Sequence, residues 1–249
     1  MSTYFRNYPR IFYKFGNEAN NDIFQNIAIY PDVVDQVRNL VTAYQDYYIL
    51  PDERPDQVSF KLYGTTDYHW TFYLMNPKLR ESGWPLSSKK LFEFAKDQYT
   101  HTVLTTLNFI YDKFKVGQTI SGLASGASGI ITKRDLQLGQ IWIANTPNPA
   151  FINGEIIQST NSSGILESIT LNSSVIQYNA VHHYENDSSE YIDLGIDSAT
   201  GNYLSPGAQR TPVTWIERLK KKNDNLLQIR VVKPNIIESI AESFRDALG

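Results

Sequence analysis

The stretch YYILPDERPDQVSFKLYGTTDYHWTFYLMNP, residues 47–77, decides the fold of the first part of the chain. It begins with a short β-prone run at 47–50. Pro55 stands where a first helical residue belongs, and Gly64 supplies the left-handed stop at the end of that short helix. A second short helix follows and ends before Pro77. The order of strand, helix, tight turn and helix predicts a compact module.

The aromatic side chains of this stretch have the spacing of a core. Trp70, Tyr73 and Leu74 share one face of the second helix at positions i, i+3 and i+4, so we predict that most of the rings face inward. The alternative is an aromatic surface that reads a ligand, and it stays open for the groove beside Tyr48. The predicted core of the module consists of Tyr63, Gly64, Trp70, Tyr73, Leu74 and Trp84.

Residues 1–30 read as an extended aromatic arm with short strands at 10–15 and 27–30. We predict that this arm orders on a partner, because aromatic residues are enriched at protein interfaces. An equally weighted alternative is a strand packed on its own domain. The candidate interface residues are Tyr4, Phe5, Tyr8, Phe12 and Tyr13 in the arm, together with Tyr48.

Helical spacing of apolar residues occurs on both sides of the module. A helix is predicted from Pro31, and a second one from Ser87 or Ser88, followed by a β-prone run at 102–111. The first of these helices rests on Val33, Val34, Val37, Leu40, Val41 and Tyr44, and the second on Leu91, Phe92, Ala95 and Tyr99.

Residues 112–174 differ in composition, with few aromatic or charged residues and many Gly, Ser, Thr, Asn and Ile. Two parts resemble each other: FKVGQTISGLASGASGII, which begins at Phe114, and FINGEIIQSTNSSGIL, which begins at Phe151, 37 residues later. This repeat predicts two related β-hairpins that form a small barrel or sandwich. The interspersed isoleucines and a tryptophan disfavour the alternative, a flexible Ser/Gly linker.

The chain returns to mixed character after this insert. A β-hairpin is predicted around AVHHYENDSSEYIDLG (180–195), and a helix from Thr211 through Leu219. The buried strand 226–232 is predicted to pair with 47–50, and a last helix begins at Pro234. The predicted fold class is α+β, divided into an arm (1–30), a body (31–111), an inserted all-β domain (112–174) and a segment that completes the body (175–249).

Charge and composition exclude several classes of partner and of chemistry. The net charge of -3 and pI of about 5.8 argue against nucleic acid as a partner, because binding to phosphates needs a basic face. No cysteine is present, which excludes disulfides, thiolate catalysis and cysteine zinc sites. No apolar run approaches the length of a membrane helix, so we expect no membrane partner and folding in a cytoplasm.

The motifs of catalysis are missing from the sequence. It contains no Gly-x-Ser-x-Gly, phosphate loop, dinucleotide-binding motif or His-Glu-x-x-His. In the run HHYEND, His182 and His183 point to opposite faces of a strand unless it bends, which leaves only His183, Glu185 and Asp187 on one face. We therefore predict no catalytic residue, no metal site and no cofactor, and hence a protein that is not an enzyme.

The order of motifs resembles one family. The stretch 47–77 looks like a LysM module in outline, and Tyr63-Gly64, Trp70, Leu74, Asn76-Pro77 and GWPLS (83–87) are similar to the LysM-like baseplate wedge family of contractile-tailed, T-even-type bacteriophages. The ending NLLQIRVVKPNIIESIAESF (225–244) is similar to that family's strand and helix. The resemblance covers about residues 33–100 and 210–249.

The resemblance implies a LysM-like βααβ module with flanking helices, and a structural role in the virion. A wedge protein of this kind joins neighbouring wedges into a six-fold ring around the hub through contacts with other wedge and hub proteins. It would be synthesised and assembled in the bacterial host cytoplasm. LysM modules elsewhere bind peptidoglycan, so a peptidoglycan-binding module of a tail-associated protein is the competing, less favoured hypothesis.

Overall fold

The computed structural model describes residues 10–14, 22–25, 41–144, 147–204, 207 and 209–248. The helices are α1 (Pro55–Tyr63), α2 (Trp70–Met75), α3 (Pro77–Ser82), α4 (Ser88–Gln98), α5 (Trp215–Asp224) and α6 (Ile237–Leu248). The strands are β1 (Arg10–Tyr13), β2 (Asp22–Gln25), β3 (Tyr44–Tyr48), β4 (Thr102–Thr106), β5 (Thr119–Gly122), β6 (Ser128–Asp135), β7 (Gln140–Ile143), β8 (Ile156–Thr160), β9 (Leu166–Ile176), β10 (Val181–Glu185), β11 (Tyr191–Ile192), β12 (Thr211–Thr214) and β13 (Gln228–Val232).

The chain forms two compact units, which consist of residues 1–87 with 223–249 and of residues 88–222. Both helices and sheets are present, as the α+β prediction requires. The second unit begins before residue 112 and ends beyond residue 174, so it is larger than the predicted insert. The inserted domain and its boundaries stay a prediction.

The first unit starts its helices where the sequence indicates. Pro55 occupies the first turn of α1, and Gly64 ends that helix with a φ of 74°, a conformation that glycine adopts without strain. The Gly64 N–H donates to the Phe60 carbonyl at 2.9 Å. Helix α2 ends at Met75, and Pro77 opens α3, a helix that the sequence analysis missed.

The predicted pairing of the two distant strands is confirmed. Strands β3 and β13 form an antiparallel two-stranded sheet in which Tyr47 lies opposite Ile229. The helices pack on this sheet around Phe72, which is fully buried. The buried cluster comprises Ile49, Val58, Phe72, Leu79, Leu226, Ile229 and Val231.

The residues before β3 correct one prediction. The helix predicted from Pro31 lies largely outside the described residues, at 31–40. Its predicted end is wrong: residues 41–43 form a short 3₁₀ turn, and Tyr44 begins a strand. Within the arm, β1 and β2 form an antiparallel hairpin in which Phe12 lies opposite Ile23.

The second unit is built around a closed barrel with the strand order β4-β7-β6-β5-β8-β9. Strand β9 pairs back onto β4, and every neighbouring pair is antiparallel. Alternating isoleucines fill the interior because successive residues of a strand point to opposite sides. The interior contains Leu104, Ile110, Phe114, Ile120, Ala127, Ile131, Ile141, Ile143, Phe151, Ile157, Ile169 and Leu171.

The sequence repeat appears in the barrel as a pseudo-two-fold relation. The first hairpin, β5–β6, and the second, β8–β9, pair with each other through β5 and β8. Ile120 lies opposite Ser159, and Gly122 lies opposite Ile157. The 37-residue repeat relates Ile120 to Ile157 and Gly122 to Ser159. Exchanging the residues related in this way converts the first pair into the second. The two related hairpins predicted from the repeat thus lie in one closed barrel, which also includes β4, outside the predicted insert.

The rest of the second unit forms a three-stranded sheet with the order β11-β10-β12. Thr211-Pro212, predicted to open a helix, instead belongs to β12, which pairs with β10. Helix α5 begins only at Trp215. The β-branched threonines and valine of 211–214 favour a strand, and this signal outweighs the helix-opening proline.

Candidate interaction surface

The β3–β13 sheet of the first unit has one outer edge on each strand. The hydrogen bonds Ile49 N to Leu227 O (2.9 Å) and Lys233 N to Ala43 O (3.0 Å) bracket the ladder. Because such bonds alternate along an antiparallel pair, Arg230 and Val232 direct their backbone groups away from β3. By the same alternation, Asp46 and Tyr48 direct their N–H and C=O groups away from β13.

Side chains cover the outer edge of β13. The Asn76 amide donates from Nδ2 to the Arg230 carbonyl at 2.8 Å, and its Oδ1 accepts the Arg230 N–H at 2.8 Å. The Tyr63 hydroxyl donates to the Val232 carbonyl at 2.8 Å. Asn76 is buried and therefore serves as a fixed substitute for a neighbouring strand. Burial also raises the pKa of Tyr63 well above its usual value, which keeps this hydroxyl a donor.

The outer edge of β3 has no such cover among the described residues. Strand β3 pairs only with β13 there, and no described group bonds the outward N–H or C=O of Asp46 or Tyr48. Both side chains are exposed, with 59% of Tyr48 accessible to solvent. An exposed strand edge is a template for pairing with another chain.

A hydrogen-bond network fixes the turn that follows β3. The Glu53 carboxylate accepts from the Leu50 N–H at 2.8 Å, from the Tyr47 hydroxyl at 3.0 Å and from Lys61 Nζ at 3.0 Å. The Trp84 indole donates to the Glu53 carbonyl at 2.7 Å. Burial alone would raise the pKa of Glu53, but Leu50, Lys61 and Tyr47, which donate to its carboxylate, outweigh this effect and hold the pKa below its usual value.

The predicted module residues lie at several places in the first unit. Tyr63, Tyr73 and Trp84 pack, half-buried, against the cluster around Phe72, and the Tyr73 and Trp84 rings are 6.2 Å apart. The Trp70 ring lies 4.8 Å from the ring of Phe244 on α6. Leu74 is half-buried, and Gly64 ends α1.

Sequence reasoning missed the fully buried face of α2. Phe72 and Met75 are buried, whereas Trp70, Tyr73 and Leu74 lie on its flanks. Both faces satisfy helical spacing in a helix of six residues, so periodicity alone could not separate them.

The predicted interface residues are only partly described. Tyr4, Phe5 and Tyr8 lie outside the described residues. Phe12 and Tyr13 lie on β1 with 71% and 52% of their surfaces exposed. Exposed aromatic side chains on a strand suit contact with another protein.

The histidine pair departs from its predicted geometry. A register shift between Val181 and His183 bends β10, so that His182 Nδ1 and His183 Nδ1 lie 3.0 Å apart instead of on opposite faces. His183 Nε2 bonds Glu185 Oε1 at 2.9 Å, and Glu185 also accepts from Lys221. If Nε2 of His183 carries its proton, its Nδ1 accepts the proton of His182 Nδ1.

Burial, together with the charge of Arg218, lowers the pKa of His182 to about 4. His182 is therefore neutral near pH 7, and Glu185 links β10 to Lys221 of α5. In the part of the chain that the structure describes, no group of three metal-ligating side chains is placed to hold an ion. The cluster reads as a packing element of the second unit.

A polar depression of about 770 Å³ lies beside β13 in the first unit. Its charged lining groups are Asp46, Lys78, Asp224 and Arg230, and no aromatic side chain lines it. Tyr48 does not line it either, so this depression is not the groove beside Tyr48 for which the sequence analysis left ligand binding open.

Comparison with known proteins bears on the first unit and on the beginning of the second. Among the described helices, none has the length and apolar character that a bilayer span requires. No curated protein sequence matches the chain. Residues 8–103 match the family described as base plate wedge protein 53, and this segment contains the β1–β2 hairpin, strand β3 and helices α1–α4. The match supports a phage baseplate wedge protein with a structural role, located in the virion tail, with other baseplate proteins as its partners.

Proposed function

We propose that the chain is a structural component of a phage tail baseplate wedge and joins neighbouring wedge subunits into a ring around the hub. The observation that carries this proposal is the match of residues 8–103 to the base plate wedge family. The matched segment contains both candidate contact elements, the exposed β1–β2 hairpin and the open edge of β3. A joining function needs at least two such surfaces.

The first unit also supports a LysM-like module. In chain order, β3 is followed by α1 and α2, and β13 completes the two-stranded sheet on which they pack. This is a βααβ arrangement, with α3 as an additional helix. A LysM-like fold of this kind serves here as a scaffold, because its large rings are used in packing between helices and sheet.

The partners follow from the same proposal. They are other wedge and hub proteins in a six-fold assembly built in the host cytoplasm, without nucleic acid or membrane. The net charge of -3 agrees with protein contacts rather than phosphate binding. No catalytic step is part of this function.

Co-assembly tests the proposal directly. The tagged chain, mixed with the remaining wedge proteins of its phage, is expected to be retained in a complex of defined stoichiometry. Deletion of residues 2–15 should leave a folded protein, by circular dichroism, that is retained less. Failure of the full-length chain to bind any wedge protein would contradict the proposal, and global unfolding of the deletion variant would show that the arm is core.

Peptidoglycan binding is the second candidate, and the polar depression beside β13 is the observation in its favour. The lack of an aromatic lining side chain disfavours it, because sugars commonly bind against aromatic rings. A pull-down on purified peptidoglycan separates the two functions. Saturable retention at micromolar protein, lost in Lys78→Ala but kept in the exposed control Lys89→Ala, would support glycan binding against the pure scaffold.

A further inference from the structure

We propose that the open edge of β3 takes up strand β1 of a second copy of this chain, so that copies link head to tail. This proposal rests on the proposed wedge function. It adds to that function by naming the strand through which one copy contacts the next. The resulting intermolecular sheet has the order β2-β1-β3-β13, with two strands from each copy.

The two edges of the β3–β13 sheet differ, and this difference identifies the edge of β3 as the binding position. On β13, Asn76 bonds the outward N–H and C=O of Arg230, and Tyr63 bonds the outward C=O of Val232. The equivalent groups of Asp46 and Tyr48 on β3 have no partner among the described residues. The β3–β13 sheet, blocked on one edge by a buried asparagine and open on the other, therefore has one position for strand addition.

Charge complementarity carries the second step, the choice of occupant. Strand β3 has a single charged side chain, Asp46, on its exposed face. Strand β1 is exposed along its whole length, is flanked by the cations Arg10 and Lys14, and presents Phe12 between them. Opposite charges and aromatic pairs on facing strands each stabilise a sheet, so β1 suits the aromatic, acidic edge YQDYY.

The same residues disfavour symmetric pairing of two β3 edges. In the fully overlapped antiparallel arrangement, Asp46 of one copy stands directly opposite Asp46 of the other. Like charges at directly opposed positions destabilise a sheet. The heterologous contact of β1 with β3 avoids this repulsion, and contacts of that kind generate rings or open chains rather than closed pairs.

Cross-linking of the full-length chain tests the contact, because the natural sequence contains no cysteine. A chain carrying Phe12→Cys is mixed with a differently tagged chain carrying Tyr48→Cys and treated with a short bismaleimide. We expect heterodimers of the two tags. The matched control replaces Tyr48→Cys with Phe60→Cys, whose side chain is 61% exposed on α1 and should give none.

Blocking the edge gives a second, independent measurement. Tyr48→Pro removes an outward N–H that β13 does not use, whereas Tyr48→Ala keeps it. Sedimentation velocity should show concentration-dependent association of the wild-type chain. Tyr48→Pro should abolish it, with an unfolding midpoint close to that of Tyr48→Ala. Arg10→Glu should weaken it about fivefold through the lost cross-strand charge pair.

The outcomes decide between alternatives. The proposal would be overturned by a chain that stays monomeric at all concentrations, by heterodimers no more frequent than with the Phe60→Cys control, or by association unaffected by both Tyr48→Pro and Arg10→Glu. In each case, retention of the chain by other wedge proteins would leave the proposed wedge function standing. Loss of that retention with self-association intact would contradict the wedge function alone.

Discussion

The barrel of the second unit and the β3–β13 sheet of the first unit treat their hydrogen-bonding edges in opposite ways. The barrel of the second unit closes on itself through β4 and β9, so its strands leave no edge in the ring. The β3–β13 sheet of the first unit has only two strands, and it covers one edge with Asn76 and leaves the other open. Closure favours self-contained stability, whereas an open edge provides a place for assembly.

The units also differ in how they use buried polar groups. In the barrel, the buried Glu155 carboxylate accepts from the backbone N–H groups of Ala124, Ser125 and Ile152 and thereby ties the two hairpins together. In the first unit, Asn76 replaces a missing strand. Buried polar groups thus complete the barrel internally, but in the first unit they determine which edge stays available.

Truncation of the first unit's central ring should have the largest effect. Phe72→Ala leaves a cavity at a fully buried site and should lower the free energy of unfolding by about 3 to 5 kcal/mol. Urea denaturation measures this loss, and hydrogen exchange should show it in residues 44–82. Phe60→Ala, at an exposed site on the neighbouring helix α1, is the control and should change stability by less than about 0.5 kcal/mol. Equal effects of the two would contradict the assigned core.

A methyl group at Gly122 tests the contact between the barrel's hairpins. A Cβ there would lie 2.5 Å from Glu155 Oε2, so the carboxylate must move and lose donors. We expect a loss of about 2 to 3 kcal/mol for Gly122→Ala. Gly164→Ala in the second hairpin's turn has open space around it and only a left-handed φ of 78°, so it should cost about 1 kcal/mol. A reversed order in thermal unfolding would refute this role of Glu155.

Removal of the edge cover tests the asymmetry of the first unit. Asn76→Ala leaves the outward backbone groups of Arg230 without their partner and should destabilise the fold by about 2 kcal/mol. It also opens the second edge, so light scattering should reveal new, concentration-dependent association. Ser82→Ala at the exposed end of α3 is the control. An Asn76→Ala protein that is fully stable and associates no more than the wild-type chain would show that this edge needs no cover.

The histidine pair should give the smallest effect, a pH dependence of the second unit. The pKa of His182 is about 4 in the folded protein and 6.5 when unperturbed, so the unfolded chain binds the extra proton first. Its stabilising contribution is therefore complete above pH 6.5 and is lost as the pH falls towards 4. Urea midpoints at pH 7 and 5 measure it. The difference between the urea midpoints at pH 7 and pH 5 should be smaller in His182→Phe. An unchanged difference would contradict the lowered pKa of His182.

The sequence predicted best the features that rest on local signals or on repetition. Pro55 and Gly64 mark the ends of α1, and the 37-residue repeat appears as the paired hairpins of the barrel. The pairing of β3 with β13 was also predictable. The β-prone run 47–50 and the buried run 226–232 each needed a partner strand, and the chain returns to mixed α/β character after the insert.

Features that depend on tertiary context could not be predicted. The strand at 211–214 was read as a helix, because Thr-Pro also opens helices and its partner β10 is distant in sequence. The bulge that joins His182 to His183 leaves no local signature. The role of Asn76 needs the position of Arg230, 154 residues away, so it was read only as a helix end.

The central claim, that this chain joins baseplate wedges, is tested most directly by assembly with and without it. Purified wedge subunits of the same phage are mixed with the wild-type chain, and ring formation is counted by electron microscopy. The account predicts closed rings that contain the chain, and single wedges when it is omitted. Rings that form equally well without the chain would contradict it.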